Sequence, residues 1–308
     1  MQKSIQKNDS IIFRPGTVIV GKWNRHRYLV KRKIGAGMIG TVYLCQINKR
    51  LVALKVSEQA MSLTTEVNVL KSLKKVQVQD HRLGPFLIDV DDVEMPNGHT
   101  YSFYVMEYIH GRSMESFVRQ HGSEWIGVFM IQLLDQLEQL HQSGWVFGDF
   151  KNDNLLVTSS PPTVRFIDVG GTTKIGRSIK EYSEFYDRAY WHLGTREATP
   201  NYDLFALVMV VLAIYYPKKF KRTTNSQQLI FQKLAAVPEI RLFRPILQKA
   251  IVGKYQTAKA MKNEVIEVMM KQQTRKTARK NSKITYGLEA FLVLVLSGIY
   301  YLSLYFIF

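Results

Sequence analysis

Cysteine is all but missing from this 308-residue chain. Cys45 stands alone, which excludes an intramolecular disulfide framework and fits a reducing compartment. Acidic residues are scarce too, 25 against 42 Lys plus Arg, and the formal net charge is +17. The opening residues MQKSIQKNDS contain no apolar run, so no cleavable signal peptide is expected. No internal repeat, low-complexity stretch, helix-turn-helix, zinc motif or RNA-recognition motif is visible. What is present is a composition 46% hydrophobic and 22% charged, enough to bury a sizeable core and typical of neither a disordered nor a polytopic membrane chain. The length allows one large two-lobed domain or two small ones. The cationic surplus favours an anionic partner: nucleic acid, acidic lipid or a phosphorylated ligand.

The charge is uneven. Residues 22 to 33 carry Lys22, Arg25, Arg27, Lys31, Arg32 and Lys33 with no acid. Residues 271 to 283 carry Lys271, Arg275, Lys276, Arg279, Lys280 and Lys283, again with none. Shorter clusters sit at Lys71, Lys74, Lys75 and at Lys218, Lys219, Lys221, Arg222. A solvated face is the competing explanation for each. The second block precedes 284–308, in which Glu289 is the only charge. The 19 residues after Glu289 would span roughly 28 Å as a helix, close to a hydrocarbon core of about 30 Å. A buried core or partner-binding helix is the alternative, but such a helix usually keeps a polar face, and this one offers little beyond Ser297, Ser303 and tyrosine hydroxyls. Tyr286, Tyr300, Tyr301 and Tyr305 suit the membrane interface. The expectation is a single-pass tail anchor in the cell membrane, with residues 1 to 283 held on the cytoplasmic side by the cation bias. The basic block beside it can also meet anionic headgroups.

Short β-prone runs at 28–34, 40–47 and 51–56, split by Gly and by Asn48-Lys49-Arg50, predict a strand-rich first part. Helical periodicity follows at 63–73, at 125–141 and at 202–215. Strands first and helices after predict an α+β protein with two unlike lobes.

Three groups of residues carry chemistry. Gly35, Gly37 and Gly40 form a turn between two predicted strands, where backbone amides can approach phosphates closely. A dinucleotide fold would need a helix straight afterwards, and Thr41-Val42-Tyr43-Leu44 reads as strand. Lys55 sits among apolar residues in the third strand, a costly position unless an anion meets it; the candidates are nucleotide phosphates and Glu66 on the next helix. An exposed edge-strand lysine is the alternative. Finally, Asp149, Lys151, Asn154 and Asp168 supply a carboxylate for the hydroxyl proton, a cation for the transferring phosphate and oxygen ligands for Mg²⁺.

These motifs resemble those of Hanks-type protein kinases over about residues 27 to 270. The resemblance implies a bilobal fold: an extension at 1–26, an N-lobe at 27–108, a C-lobe at 109–270, a basic linker at 271–283 and the membrane helix at 284–308. It implies ATP and Mg²⁺ (or Mn²⁺) as cofactors, with Gly35, Gly37 and Gly40 over the phosphates and Ile34 beside them among the ATP-binding residues. Lys55 would bind phosphates and pair with Glu66. Asp149 would be the catalytic base, Lys151 the γ-phosphate contact, and Asn154 and Asp168 the metal ligands. Met106 would guard the pocket, the Glu107 and Ile109 backbone would hold adenine, and Val42, Ala53 and Leu156 would sandwich the ring. Asp203 would be the buried aspartate of the long C-lobe helix.

Several positions depart from the family pattern. Phe147-Gly148-Asp149 replaces His-Arg-Asp, which removes the cation that would receive an activation-loop phosphate. Hydroxyls at Thr172, Thr173, Ser178 and Ser183 are therefore expected to be dispensable together. Asp168-Val169-Gly170 replaces Asp-Phe-Gly, with Leu70, Val169 and Phe147 expected to stack, the bulk gained at Phe147 offsetting that lost at Val169. Ala189-Tyr190-Trp191 stands where Ala-Pro-Glu belongs, and Tyr255 where its Arg partner belongs, so both charges of an ion pair are lost together. Gly148-Asp149 also resembles small-molecule phosphotransferases of the aminoglycoside and choline kinase kind, whereas Lys151 and Asp-Val-Gly favour the Ser/Thr protein kinase branch. Among these the chain most resembles the small membrane-anchored kinases of spore-forming Bacillus relatives. A pseudokinase scaffold and a small-molecule kinase stay open. The implied partners are protein substrates, a second copy during autophosphorylation, the membrane, and anionic lipid or DNA on the basic patches.

Overall fold

The computed structural model describes residues 13–37, 40–76, 83–275 and 277. The 284–308 segment, most of the 271–283 block and the Lys74 and Lys75 side chains lie outside them. Among the described residues no helix is long and apolar enough to cross a membrane.

The first half builds one antiparallel sheet from β1 (Val18–Val20), β2 (Arg27–Ala36), β3 (Thr41–Ile47), β4 (Arg50–Ser57), β5 (Leu87–Glu94) and β6 (Thr100–Glu107), in the order β1-β2-β3-β4-β6-β5. Alternation explains the strands: Tyr28 and Val30 of β2 are buried while Arg27, Lys31, Arg32 and Lys33 are exposed. Residues 13–26, set apart above as an extension, in fact join this sheet. Phe13 enters its core beneath Tyr43, and β1 pairs with β2. The turn after β1 then reaches the far edge: the Lys22 amide donates to Asp92 O (2.8 Å), and the buried Asp91 carboxylate accepts the Trp23 (2.9 Å) and Asn24 (2.8 Å) amides. Both sheet edges are thus tied together, which leaves little open edge. The helix α1 (Ala60–Val76) packs on β5 and β6 and carries Glu66 inward.

The second half is helical: α2 (Met114–His121), α3 (Trp125–Gln142), α4 (Pro200–Tyr215), α5 (Ser226–Ala235), α6 (Arg244–Ile251) and a helix at 258–275. Ser113 and Asn225 cap α2 and α5 by accepting the amides of Ser116 and Gln228 (both 3.2 Å), and Pro200 opens α4. Residues Tyr202 to Ile214 of α4 are all buried, as suits a helix apolar on every face. Between the halves lie two small two-stranded sheets, β7 (Trp145–Val146) with β10 (Thr173–Lys174) and the hairpin β8 (Leu155–Ser159) with β9 (Pro162–Phe166). They carry the loops on which the polar site residues sit. The expected α+β, two-lobed arrangement is the one observed.

Asp91 supplies two charge-assisted hydrogen bonds that close the sheet. Asp91→Ala is expected to cost about 2 kcal/mol of stability, read as a lower midpoint of chemical denaturation with an unchanged slope.

Candidate active site

A cleft of about 640 Å³ opens between the sheet and the helices. Ile34, Gly35, Gly37, Gly40, Val42 and Ala53 line it from the β2–β3 hairpin and β4. Met106, Glu107 and Ile109 line it along the connection between the halves, and Lys151, Asn154, Leu156 and Asp168 line its floor. The glycine turn is pinned by the Gly37 amide on Gly40 O (2.9 Å). Lys55 and Arg32, the latter read from the sequence only as part of a basic block, also line it, as do Ala36, Tyr108, Gly111, Asp153 and Ile167, to which the sequence assigned no role. A guanidinium at the mouth and apolar walls inside suit an anionic ligand with a flat apolar part.

Lys55 is 5% exposed and Glu66 1%. The Lys55 ammonium donates to both Glu66 carboxylate oxygens (2.8 and 2.7 Å) and lies 3.6 Å from Asp168 Oδ2. Burial opposes the lysine's charge, yet Asp168 and Glu66 outweigh it and raise its pKa. Burial pushes the Glu66 carboxyl above the usual carboxylate range, with Lys55 opposing that rise. The connecting strand is strapped to the floor by Arg165, which donates bidentately to Glu107 (2.8 and 3.0 Å) and to Gly84 O (3.0 Å).

The catalytic-loop residues converge on Asp149. Its carboxylate meets the Lys151 ammonium and, at 3.3 Å, the Ser183 hydroxyl, which also accepts from Lys151 (3.4 Å). The Asn154 amide nitrogen donates to Asp149 O (2.9 Å), leaving its oxygen for a cation. Asp168 Oδ1 accepts the Gly170 amide (2.9 Å), and its side chain stays 42% exposed to the cleft. Beneath them Asp203, fully buried, accepts from the Phe147 amide (2.7 Å) and the Gly148 amide (3.0 Å) and bonds His141 Nε2 (2.9 Å). Gly148 has φ +80°, and a Cβ there would come within 2.6 Å of Gly171 O. That close approach gives the missing arginine a local steric reason.

A protein kinase domain model matches residues 28–302. The chain belongs to the protein kinase family. Serine/threonine-protein kinase YabT of Bacillus subtilis (strain 168) is 46% identical over 270 residues, 87% of this chain and 79% of that protein. It is therefore a serine/threonine protein kinase of the bacterial Hanks type. More distant are the serine/threonine-protein kinases drp72 of Corynebacterium efficiens, 30% identical over 143 residues (43% of this chain, 27% of that one), and sporulation protein kinase mde3 of Schizosaccharomyces pombe, 27% over 209 residues (61% and 37%). The kinase spans well under half the length of those two.

Protein kinases use ATP and Mg²⁺, and the donor set fits. Asn154 and Asp168 offer hard oxygen donors. Among the described residues no cluster of three His, Cys, Asp or Glu would cage a metal without phosphate oxygens or water.

The activation segment differs from the sequence expectation in two ways. First, the four hydroxyls are not equivalent. Thr172 and Thr173 are buried, Ser178 is exposed on a bridge to Glu197, and Ser183 touches Asp149 and Lys151. Second, Tyr255 does not face the segment; its hydroxyl donates to Glu264 (2.9 Å). The 252–255 turn instead meets Arg188, which threads past Gly194 and Gly253 and donates to Leu193 O (2.6 Å). Trp191 is fully buried against Phe185 and Phe220. An aromatic cluster thus stands where the family pattern has an ion pair.

Replacing all four hydroxyls would therefore strike the site itself. Ser183→Ala is expected to lower kcat about tenfold or more by releasing Asp149 and Lys151, whereas Ser178→Ala should stay within about twofold of wild type. Steady-state phosphorylation of a generic protein substrate separates the two.

Proposed function

We propose that this kinase is a membrane-anchored cytoplasmic enzyme that transfers the ATP γ-phosphoryl group to serine and threonine hydroxyls of protein substrates, itself included, under the influence of a polyanion such as DNA. The transfer rests on one observation: Lys55, Lys151, Asn154 and Asp168 line a single cleft, with Asp149 held against Lys151 and Asn154 and Glu66 paired to Lys55. In this reading Asp149 orients the acceptor hydroxyl and takes its proton, while Lys151 balances charge beside it. Lys55 holds the α/β-phosphates, and Glu66 fixes Lys55. Asn154 and Asp168 hold Mg²⁺, which when bound neutralises charge on the phosphates. The backbone of Glu107 and Ile109 meets adenine between Val42, Ala53 and Leu156. Retention of this whole set argues against a pseudokinase, and Lys151 with Asp168-Val169-Gly170 against a small-molecule kinase.

The anchor rests on 284–308 and the cations before it. The polyanion rests on the N-lobe block: Arg25, Arg27, Lys31, Arg32 and Lys33 are all exposed, while Lys22 pairs with Glu94 at 3.5 Å and His26 with Asp89 at 2.8 Å. The chain then predicts a steep salt dependence for DNA binding. Autophosphorylation by the full chain, with and without DNA across a salt titration, tests this part. Unchanged activity and salt-independent binding would leave membrane attachment as the role of the basic charge.

For the chemistry, Lys55→Ala and Asp168→Ala are each expected to abolish phosphoryl transfer with the fold retained. Asp149→Asn should reduce kcat by about a thousandfold or more while changing nucleotide affinity little, because it acts on the acceptor hydroxyl. Radiolabel incorporation, nucleotide binding and circular dichroism on the same preparations provide the check, and wild-type turnover in any variant would remove that residue from the site.

A further inference from the structure

Tyr104 plays no part in the mechanism above, yet it touches the centre of it. The residue lies on β6 directly opposite Lys55 on β4 and is 1% exposed. Its hydroxyl donates to Glu66 Oε2 at 2.7 Å, and the same oxygen receives Lys55 Nζ at 2.7 Å. Glu66 Oε1 takes a second Lys55 contact at 2.8 Å and sits against Gly170, where a Cβ would come within 3.1 Å of it. Glu66 is therefore held from two strands at once, by one cation that faces the cleft and one neutral donor that does not line it.

We propose that Tyr104 is a positioning residue for nucleotide binding: its hydroxyl keeps Glu66, and with it α1, in the paired arrangement while Lys55 is drawn toward phosphate. The inference rests on the reading of Lys55 as the phosphate-binding lysine. An ammonium has three donors, and here they are directed at Glu66 and Asp168. Phosphate oxygens entering the cleft compete for them. A buried carboxylate whose cation is shared in this way needs another partner, because an uncompensated charge at 1% exposure is strongly unfavourable. The tyrosine hydroxyl supplies a charge-assisted hydrogen bond whose direction is fixed by sheet register rather than by a long flexible side chain. It is also one of the donors that oppose the effect of burial on the Glu66 carboxyl. Phenylalanine in its place would keep the ring and remove only the donor.

The test uses the full chain and four proteins: wild type, Tyr104→Phe, Glu66→Gln and the double variant, with Lys55→Ala in parallel. Tyr104→Phe is expected to raise the ATP KM and the directly measured dissociation constant of an ATP analogue by about fivefold to tenfold, with kcat for a saturating protein substrate within about twofold. In the Glu66→Gln background the same change is expected to have little further effect, since the hydroxyl acts through that carboxylate. Equal ATP affinity in wild type and Tyr104→Phe would overturn the proposal, as would an undiminished loss in the Glu66→Gln background. If Lys55→Ala itself bound the analogue as wild type does, the assignment of Lys55 would fail instead, which distinguishes the two. Melting temperatures of the unliganded proteins report folding, and Tyr104→Trp, which fills the space with the wrong donor geometry, serves as the second variant. It is expected to weaken ATP binding at least as much as Tyr104→Phe, and wild-type affinity in that variant would count against the hydroxyl's role.

Discussion

The buried carboxylate of Asp203 sets the geometry of the catalytic half. It stands in a helix apolar on every side, and it is compensated only by donors that belong to the catalytic loop and its approach: the Phe147 and Gly148 amides and His141. Burying a charge this way is tolerable only while those donors stay in place. The loop is consequently fixed to the buried helix α4, and Asp149, one residue further on, inherits that position. The same constraint explains Gly148. Its amide must point at Asp203 with φ +80° while the backbone passes close to Gly171, and no side chain fits both demands.

A second charge balance joins the halves. Lys55 comes from the sheet, Glu66 from α1 and Asp168 from the loop after β9, so their pairing couples three separately built elements. Arg165 and Glu107 add a strap at the connecting strand. The cost of dehydrating these groups is large, and it is met by multiplicity: Glu66 takes Lys55 and the Tyr104 hydroxyl, and Glu107 takes Arg165 and the Phe86 amide. Glu181, in the activation segment, is half-buried and its pKa is raised by burial first and then by Asp168 and Glu66, which places negative charge near this centre from a fourth element.

Legibility in the sequence followed how much each role depends on residue type alone. Lys55, Glu66, Asp149, Asn154 and Asp168 were readable because phosphoryl transfer needs those types at those spacings. The helices 125–142 and 200–215 were readable from periodicity. Strand β1 was not, since three residues carry no pattern, and the turn after it is held by the Asp91 carboxylate some 70 positions away in the chain. Tyr104 was hidden because a tyrosine in an apolar strand reads as core, and only the β4–β6 register sets it beside Glu66. The contacts of Ser183 and Arg188 were not legible for a related reason: the activation segment has no periodicity, and the side chain that meets the 252–255 turn depends on Gly194 and Gly253 leaving room for it.

The activation segment shows how a lost ion pair and a lost phosphate sensor can be compatible with an ordered site. Asp187 is fully buried and accepts from the Ala189 (3.0 Å) and Tyr190 (3.2 Å) amides, from the Tyr202 hydroxyl (2.9 Å) and from Arg196 (2.9 Å). Arg196 in turn stacks 3.8 Å from the Tyr182 ring centroid. The backbone around it is paired with 177–179 through the Ile179 amide on Arg196 O and the Ala198 amide on Arg177 O (both 2.8 Å). Every one of these bonds is intramolecular and needs no modification to form. In a kinase whose catalytic loop carries an arginine, a phosphate supplies the anion that gathers the segment; here Asp187 is a permanent anion, with Arg196 as its cation. A charge fixed in this way gathers the segment without a phosphate, as the Lys55–Glu66–Tyr104 arrangement joins sheet and helix without a bound nucleotide.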